Sequence, residues 1–216
     1  MAAVFPRWSN TAVRVTVIAL FSGVALAIAA PMIYVRTPWS RHQYEPVDQP
    51  VEFDHRHHSQ DDGINCVFCH TSVTKAGNAG IPTTDKCMGC HSQIWGQSSM
   101  LEPVRRSYFA DMPLPWNMVH DLPDFVYFNH SIHVNKGVGC STCHGRVDWM
   151  PAVYQVATLT MGWCLDCHRA PEQHLRPLDK ITDMRFRPED QSPAVRARLR
   201  DELGVQSLMD CAVCHR

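Results

Sequence analysis

Ten cysteines fall into five pairs: Cys66/Cys69, Cys87/Cys90, Cys140/Cys143, Cys164/Cys167 and Cys211/Cys214. Each pair is spaced C-x-x-C and is followed at once by a histidine: His70, His91, His144, His168 or His215. Two thiols at this spacing can add to the two vinyl groups of one porphyrin while the adjacent imidazole ligates its iron. C-x-x-C-H is therefore the attachment signature of c-type haem. Zinc sites and dithiol redox centres also use C-x-x-C, but neither requires histidine directly after the second cysteine. A disulfide framework would not need the invariant pairing either. The motifs predict five covalently bound haem c groups, with the five histidines as proximal iron ligands.

Eight histidines remain, and a low-spin haem needs a second axial ligand, supplied by His or Met. A lone extra histidine is more often a surface or packing residue. Four of these eight are not alone. Phe53-Asp-His55-Arg-His-His58 and Phe128-Asn-His130-Ser-Ile-His133 repeat the pattern F-x-H-x-x-H, each ahead of a C-x-x-C-H motif. On one helical turn residues three apart lie near each other, so one short segment can serve two irons. His55, His58, His130 and His133 are the distal candidates, and His120 is the natural fifth. His57 is a weaker choice because it depends on the register read in the first copy. His42 and His174 read as surface residues. Met118, Met150 and Met161 compete for one distal place, which would give a haem of higher potential.

Elements must position these groups. The net charge of −1 gives no reason to expect nucleic-acid binding, which usually leaves a basic excess. Val15–Val35 is a 21-residue run without a charge, long enough to cross a bilayer as one helix. ALAIA at 25–29 offers a signal-cleavage site, but the run exceeds the usual apolar stretch of a signal peptide, so a retained anchor is expected. Covalent haem attachment occurs outside the bacterial cytoplasmic membrane, so the haem domain should face the periplasm.

The expected organisation is a cytoplasmic stub and anchor over 1–36, a Pro-rich linker over 37–52, a first dihaem module and extended connector over 53–127, a second dihaem module over 128–176, and a C-terminal helix with the fifth haem site over 177–216. Ser192 as cap, Pro193 at the first position and Gly204 as stop mark that helix. The fold class expected is mostly irregular and α-helical, with the haems as core, short helices and loops around them, and one N-terminal transmembrane helix.

The order of anchor, clamp, haem pair, clamp, haem pair and single haem, with the strings DLPDFVYFNHSIHVNKGVGCSTCHG and MGWCLDCHRAPE, resembles the pentahaem cytochrome c subunit of alternative complex III, a quinol-oxidising membrane complex. The repeated module is similar to cytochromes of the class III (c3/c7) type. The resemblance covers roughly residues 50–180. It implies relay of electrons from quinol oxidation to a soluble cytochrome c or blue-copper acceptor. It also implies partners: an iron–sulfur protein of molybdopterin-oxidoreductase type, multi-spanning quinol-binding subunits and a monohaem cytochrome c subunit. Two other functions compete. A stand-alone membrane-anchored quinol dehydrogenase lacks the doubled clamp. A multihaem reductase needs an open iron, and no C-x-x-C-K variant marks one.

Overall fold

The computed structural model describes residues 4–215. The chain divides into two units at Gln43/Tyr44. The first holds helix α1 (Ser9–Tyr34), which contains Pro31 and has no buried residue. Within its 26 residues an 18-residue stretch has a mean hydropathy of 2.2. At ~1.5 Å per residue the helix is ~39 Å long, enough to cross a ~30 Å hydrocarbon core. A short 3₁₀ turn, Pro38–Arg41, follows.

The second unit consists of short helices joined by loops, with no β-strand among the described residues and an isolated bridge between Val138 and Leu175. Each C-x-x-C-H motif folds as helix: α2 (Cys66–Cys69), α3 (Thr84–His91), α6 (Cys140–His144), α7 (Met161–Arg169) and α9 (Cys211–Cys214). Residues i and i+3 then share one side, which puts both thiols on one face. Two of these helices start with a side-chain cap. Asn65 accepts from the Val67 amide, and Thr160 from that of Trp163.

Helix α4 (Glu102–Ala110) corrects the expected extended connector. Its Pro103 lies in the first turn, where a missing N–H costs nothing, so proline there does not argue against helix. Val104 and Ser107 are buried, and Val104 packs with Met88 of α3 and with Val51. Helix α8 (Pro193–Glu202) starts at Ser192, whose Oγ accepts from Val195, and Gly204 follows it at φ +57°.

The conventional core is small. Eleven apolar side chains are buried among the described residues, in clusters no larger than three. Phe68, Trp95, Phe125, Tyr127 and Phe128 are exposed close to the motifs. A domain this size ordinarily buries far more. The apolar area lies instead where flat macrocycles attached to the motifs would cover it. The fold is mostly helical and irregular, as the sequence predicts.

Candidate haem-ligating sites

The two F-x-H-x-x-H copies are built differently. The second starts helix α5 (His130–Asn135), capped by Asn129, whose Oδ1 accepts from Ser131. The first, Arg56–Asp61, is a π-helical segment in which the Asp62 amide donates to the His57 carbonyl. The ring geometry nevertheless matches. Phe53 stands edge-on to His55 at 4.7 Å and stacks on His58 at 4.4 Å. Phe128 stands edge-on to His130 at 4.8 Å and stacks on His133 at 4.5 Å. Each phenylalanine holds one imidazole flat and props the other upright, so the two rings of a clamp face different directions.

Seven imidazoles share one hydrogen-bond habit. Nδ1 faces a backbone carbonyl: His58 with Asp54, His70 with Gly80, His91 with Ile94, His130 with Gly77, His133 with Asn129, His168 with Leu208 and His215 with Phe125. The distances run from 2.7 to 3.0 Å. A carbonyl accepts only, so Nδ1 carries the proton and Nε2 keeps its lone pair. This is how a metal-ligating histidine is oriented.

Burial pulls His144 down to about 3 and His55 to about 4, and also lowers His120 and His133, so these rings stay neutral, as ligation needs.

Spacing tests the fit further. Two imidazoles bound at ~2 Å on opposite faces of one metal put their centroids ~6 Å apart. His58 and His91 are 6.1 Å apart, His133 and His168 6.1 Å, and His130 and His144 6.3 Å. His55 lies within electrostatic reach of His70, and its Nδ1 is buried without a hydrogen-bond partner. Three motif histidines thus have a clamp histidine at this spacing, a fourth, His70, has His55 within electrostatic reach, and the residues fit haem.

His120, the fifth distal candidate, lies beside the third motif. Its ring meets His144 edge-on at 4.3 Å, too close for an iron between them, and its Nε2 is buried and unpartnered. The ring of His215 meets Phe125 at 5.8 Å. His57 is half-exposed, 3.7 Å from both Asp61 and Asp62. Met118 and Met161 are 70% and 61% exposed, whereas Met150 is 3% exposed. His174 is lowered by burial beside Glu172 and Glu189, away from the clamps in sequence. His42 belongs to the N-terminal unit.

The cysteines order the sites. Cys69 is within electrostatic reach of Cys90, and Cys87 of Cys69. The Cys66 and Cys140 thiols are hydrogen-bonded; this contact lowers Cys66 to about 7 and, with burial, pushes Cys140 up. Cys143, raised to about 12 by burial, lies near Cys167 and Cys164. Cys164 in turn lies near Cys214. The motifs therefore run second, first, third, fourth, fifth in space.

Backbone contacts hold this order. Asn65 donates to Thr182 Oγ1 while Ile181 accepts from Cys140, which ties the first motif to the third. The Gly77 and Ala76 carbonyls take the amides of His130 and Ser131, docking the second clamp on the loop behind the first motif. Ser207 Oγ donates to the His168 carbonyl, and the Tyr127 amide to that of Cys214, securing the fifth site. Sequence reasoning missed the carbonyl acceptors, since any residue type can supply one. It also missed Arg176, which carries no motif.

Residues 126–216 match the family described as cytochrome c7 and related cytochrome c. The chain is also 29% identical over 157 residues to the menaquinone reductase, multiheme cytochrome c subunit, of Nitratidesulfovibrio vulgaris, covering 61% of this chain and 72% of the relative. With the motifs, these likenesses support a multihaem c-type cytochrome in electron transfer.

Proposed function

We propose that this chain binds five haem c groups and serves as the relay subunit of a quinol-oxidising membrane complex of the alternative complex III type. The observation that carries the relay is the unbroken spatial order of the five motifs, with a clamp histidine facing three of the motif histidines and another within electrostatic reach of a fourth. Each haem, when bound, supplies a one-electron iron couple. The chain's part is to fix five such couples in sequence and to set their ligands.

In this reading His58 serves with His91, His55 with His70, His130 with His144, and His133 with His168. His120 packs against the third site, which leaves a methionine, Met118, Met150 or Met161, as the distal candidate for the fifth iron. Helix α1 anchors the chain with its haem unit on the periplasmic side. Its partners are the iron–sulfur, quinol-binding and monohaem cytochrome subunits that the resemblance implies, with a soluble cytochrome c or blue-copper protein as acceptor.

The named relative favours a second reading, in which the electrons travel toward a quinone. Stopped-flow reduction of the purified complex separates the two. Quinol should reduce the haems in the intact complex and leave the isolated chain oxidised. Direct reduction of the isolated chain by quinol points to a stand-alone quinol dehydrogenase. Oxidation of pre-reduced haems by menaquinone in the complex favours the reverse direction.

A further inference from the structure

Arg176 is 1% exposed, one of the two largest fully buried side chains among the described residues. Its guanidinium reaches the third motif. Nη2 donates to Ser141 Oγ at 3.1 Å and to Thr142 Oγ1 at 3.4 Å, the two residues between Cys140 and Cys143. Nη1 donates to the Asp183 carbonyl at 2.9 Å and the Lys180 carbonyl at 3.4 Å. Nε is buried without a partner, and the plane lies over Phe186 at 5.2 Å.

Every hydrogen-bond acceptor of this cation is neutral. Asp183 and Glu189 are within electrostatic range, but neither carboxylate bonds it. Asp183 Oδ1 accepts from the Arg185 amide, and its Oδ2 faces Lys180 Nζ at 4.0 Å. A buried charge without a bonded counter-ion is costly.

The backbone is shaped around this group. Arg176 N donates to the Gly137 carbonyl at 2.8 Å, and a Cβ at Gly139 would overlap the guanidinium. The third motif alone has hydroxyls at both intervening positions; the others read Val67-Phe68, Met88-Gly89, Leu165-Asp166 and Ala212-Val213.

We propose that the buried charge of Arg176 raises the reduction potential of the haem held by Cys140, Cys143 and His144 above the value its ligands alone would set. This rests on the reading that the third motif binds haem. Oxidised haem carries one more positive charge than reduced haem, so a fixed cation in a poorly screened interior favours the reduced form. The effect gives the middle of the series a tuning device built on a buried cation, and among the described residues no other Arg or Lys is buried.

The test is a spectroscopic redox titration of the full-length chain, with haem occupancy at each motif read by peptide mass spectrometry. Arg176→Met should move one of the one-electron waves downward by about tenfold in its reduction equilibrium, ~59 mV. Arg176→Lys keeps the charge and should leave that wave near its original place.

Arg176→Gln keeps a hydrogen-bond donor without the charge, so the same wave should fall, and this variant decides the matter if Arg176→Met fails to mature. Unmoved waves in fully loaded Arg176→Met or Arg176→Gln, or an equal fall in Arg176→Lys, would overturn the proposal. A third motif without haem in the wild-type chain would overturn the underlying site assignment instead.

Discussion

The first clamp is one residue longer than the second, yet both hold their rings alike. His58 is five residues ahead of Gly63, whereas His133 is four ahead of Gly137. Both glycines have positive φ, +70° and +84°, and each lies three residues before a motif cysteine. The extra residue falls within the π-helical stretch, whose wider turn absorbs it. Past it the copies rejoin: Ile64 donates to the His58 carbonyl at 2.9 Å, and Val138 to that of His133 at 3.0 Å. The difference teaches that the fixed quantity is the disposition of one phenylalanine and two imidazoles, not the helix type carrying them.

The copies also differ just before their motifs. Asn65 caps the first with its own side chain, whereas Gly139 in the equivalent place makes room for Arg176.

The largest expected effects test whether the clamps are equivalent. His58→Ala and His133→Ala should each turn one haem high-spin while all five stay covalently attached, seen by electron paramagnetic resonance and intact mass. An unchanged low-spin spectrum in either variant removes that histidine from the ligand set.

Next come the exchanged residues. Gly139→Asn forces a side chain into the guanidinium and should cost about 3 kcal/mol of unfolding free energy. Asn65→Gly loses one cap and should cost only ~0.3 kcal/mol. Equal losses in denaturant unfolding would erase the contrast.

Deleting Gln60 should let the first copy take the α-helical form of the second, with its low-spin signals intact. A high-spin signal there would show that the π turn itself places His58. Smallest of all, His57→Ala should leave the spectrum unchanged and alter stability by under about 0.5 kcal/mol, because its partners Asp61 and Asp62 are surface groups.

Much of this was legible in the residues. The five motifs, the apolar N-terminal helix and the capped helix at Pro193–Glu202 are written in local spacing and chemistry. Repetition alone selected His55 and His58 over His57, and the structure places His57 outward among carboxylates. The helix at Glu102–Ala110 was hidden by a proline whose position in the first turn could not be fixed beforehand. The place of His120 beside His144 depends on how the connector crosses the unit, a long-range matter that no local pattern encodes.

The carbonyls that orient the imidazoles have a consequence for the order of assembly. A chain delivered N-terminus first finds the acceptors for His58, His70 and His91 within ten residues of each ring. His130 looks back to Gly77, already present. His168, however, waits for Leu208, forty residues ahead, and His215 reaches ninety residues back to Phe125. The first two motif histidines can therefore be oriented as they emerge, while His168 must wait for Leu208 and His215 comes last of all.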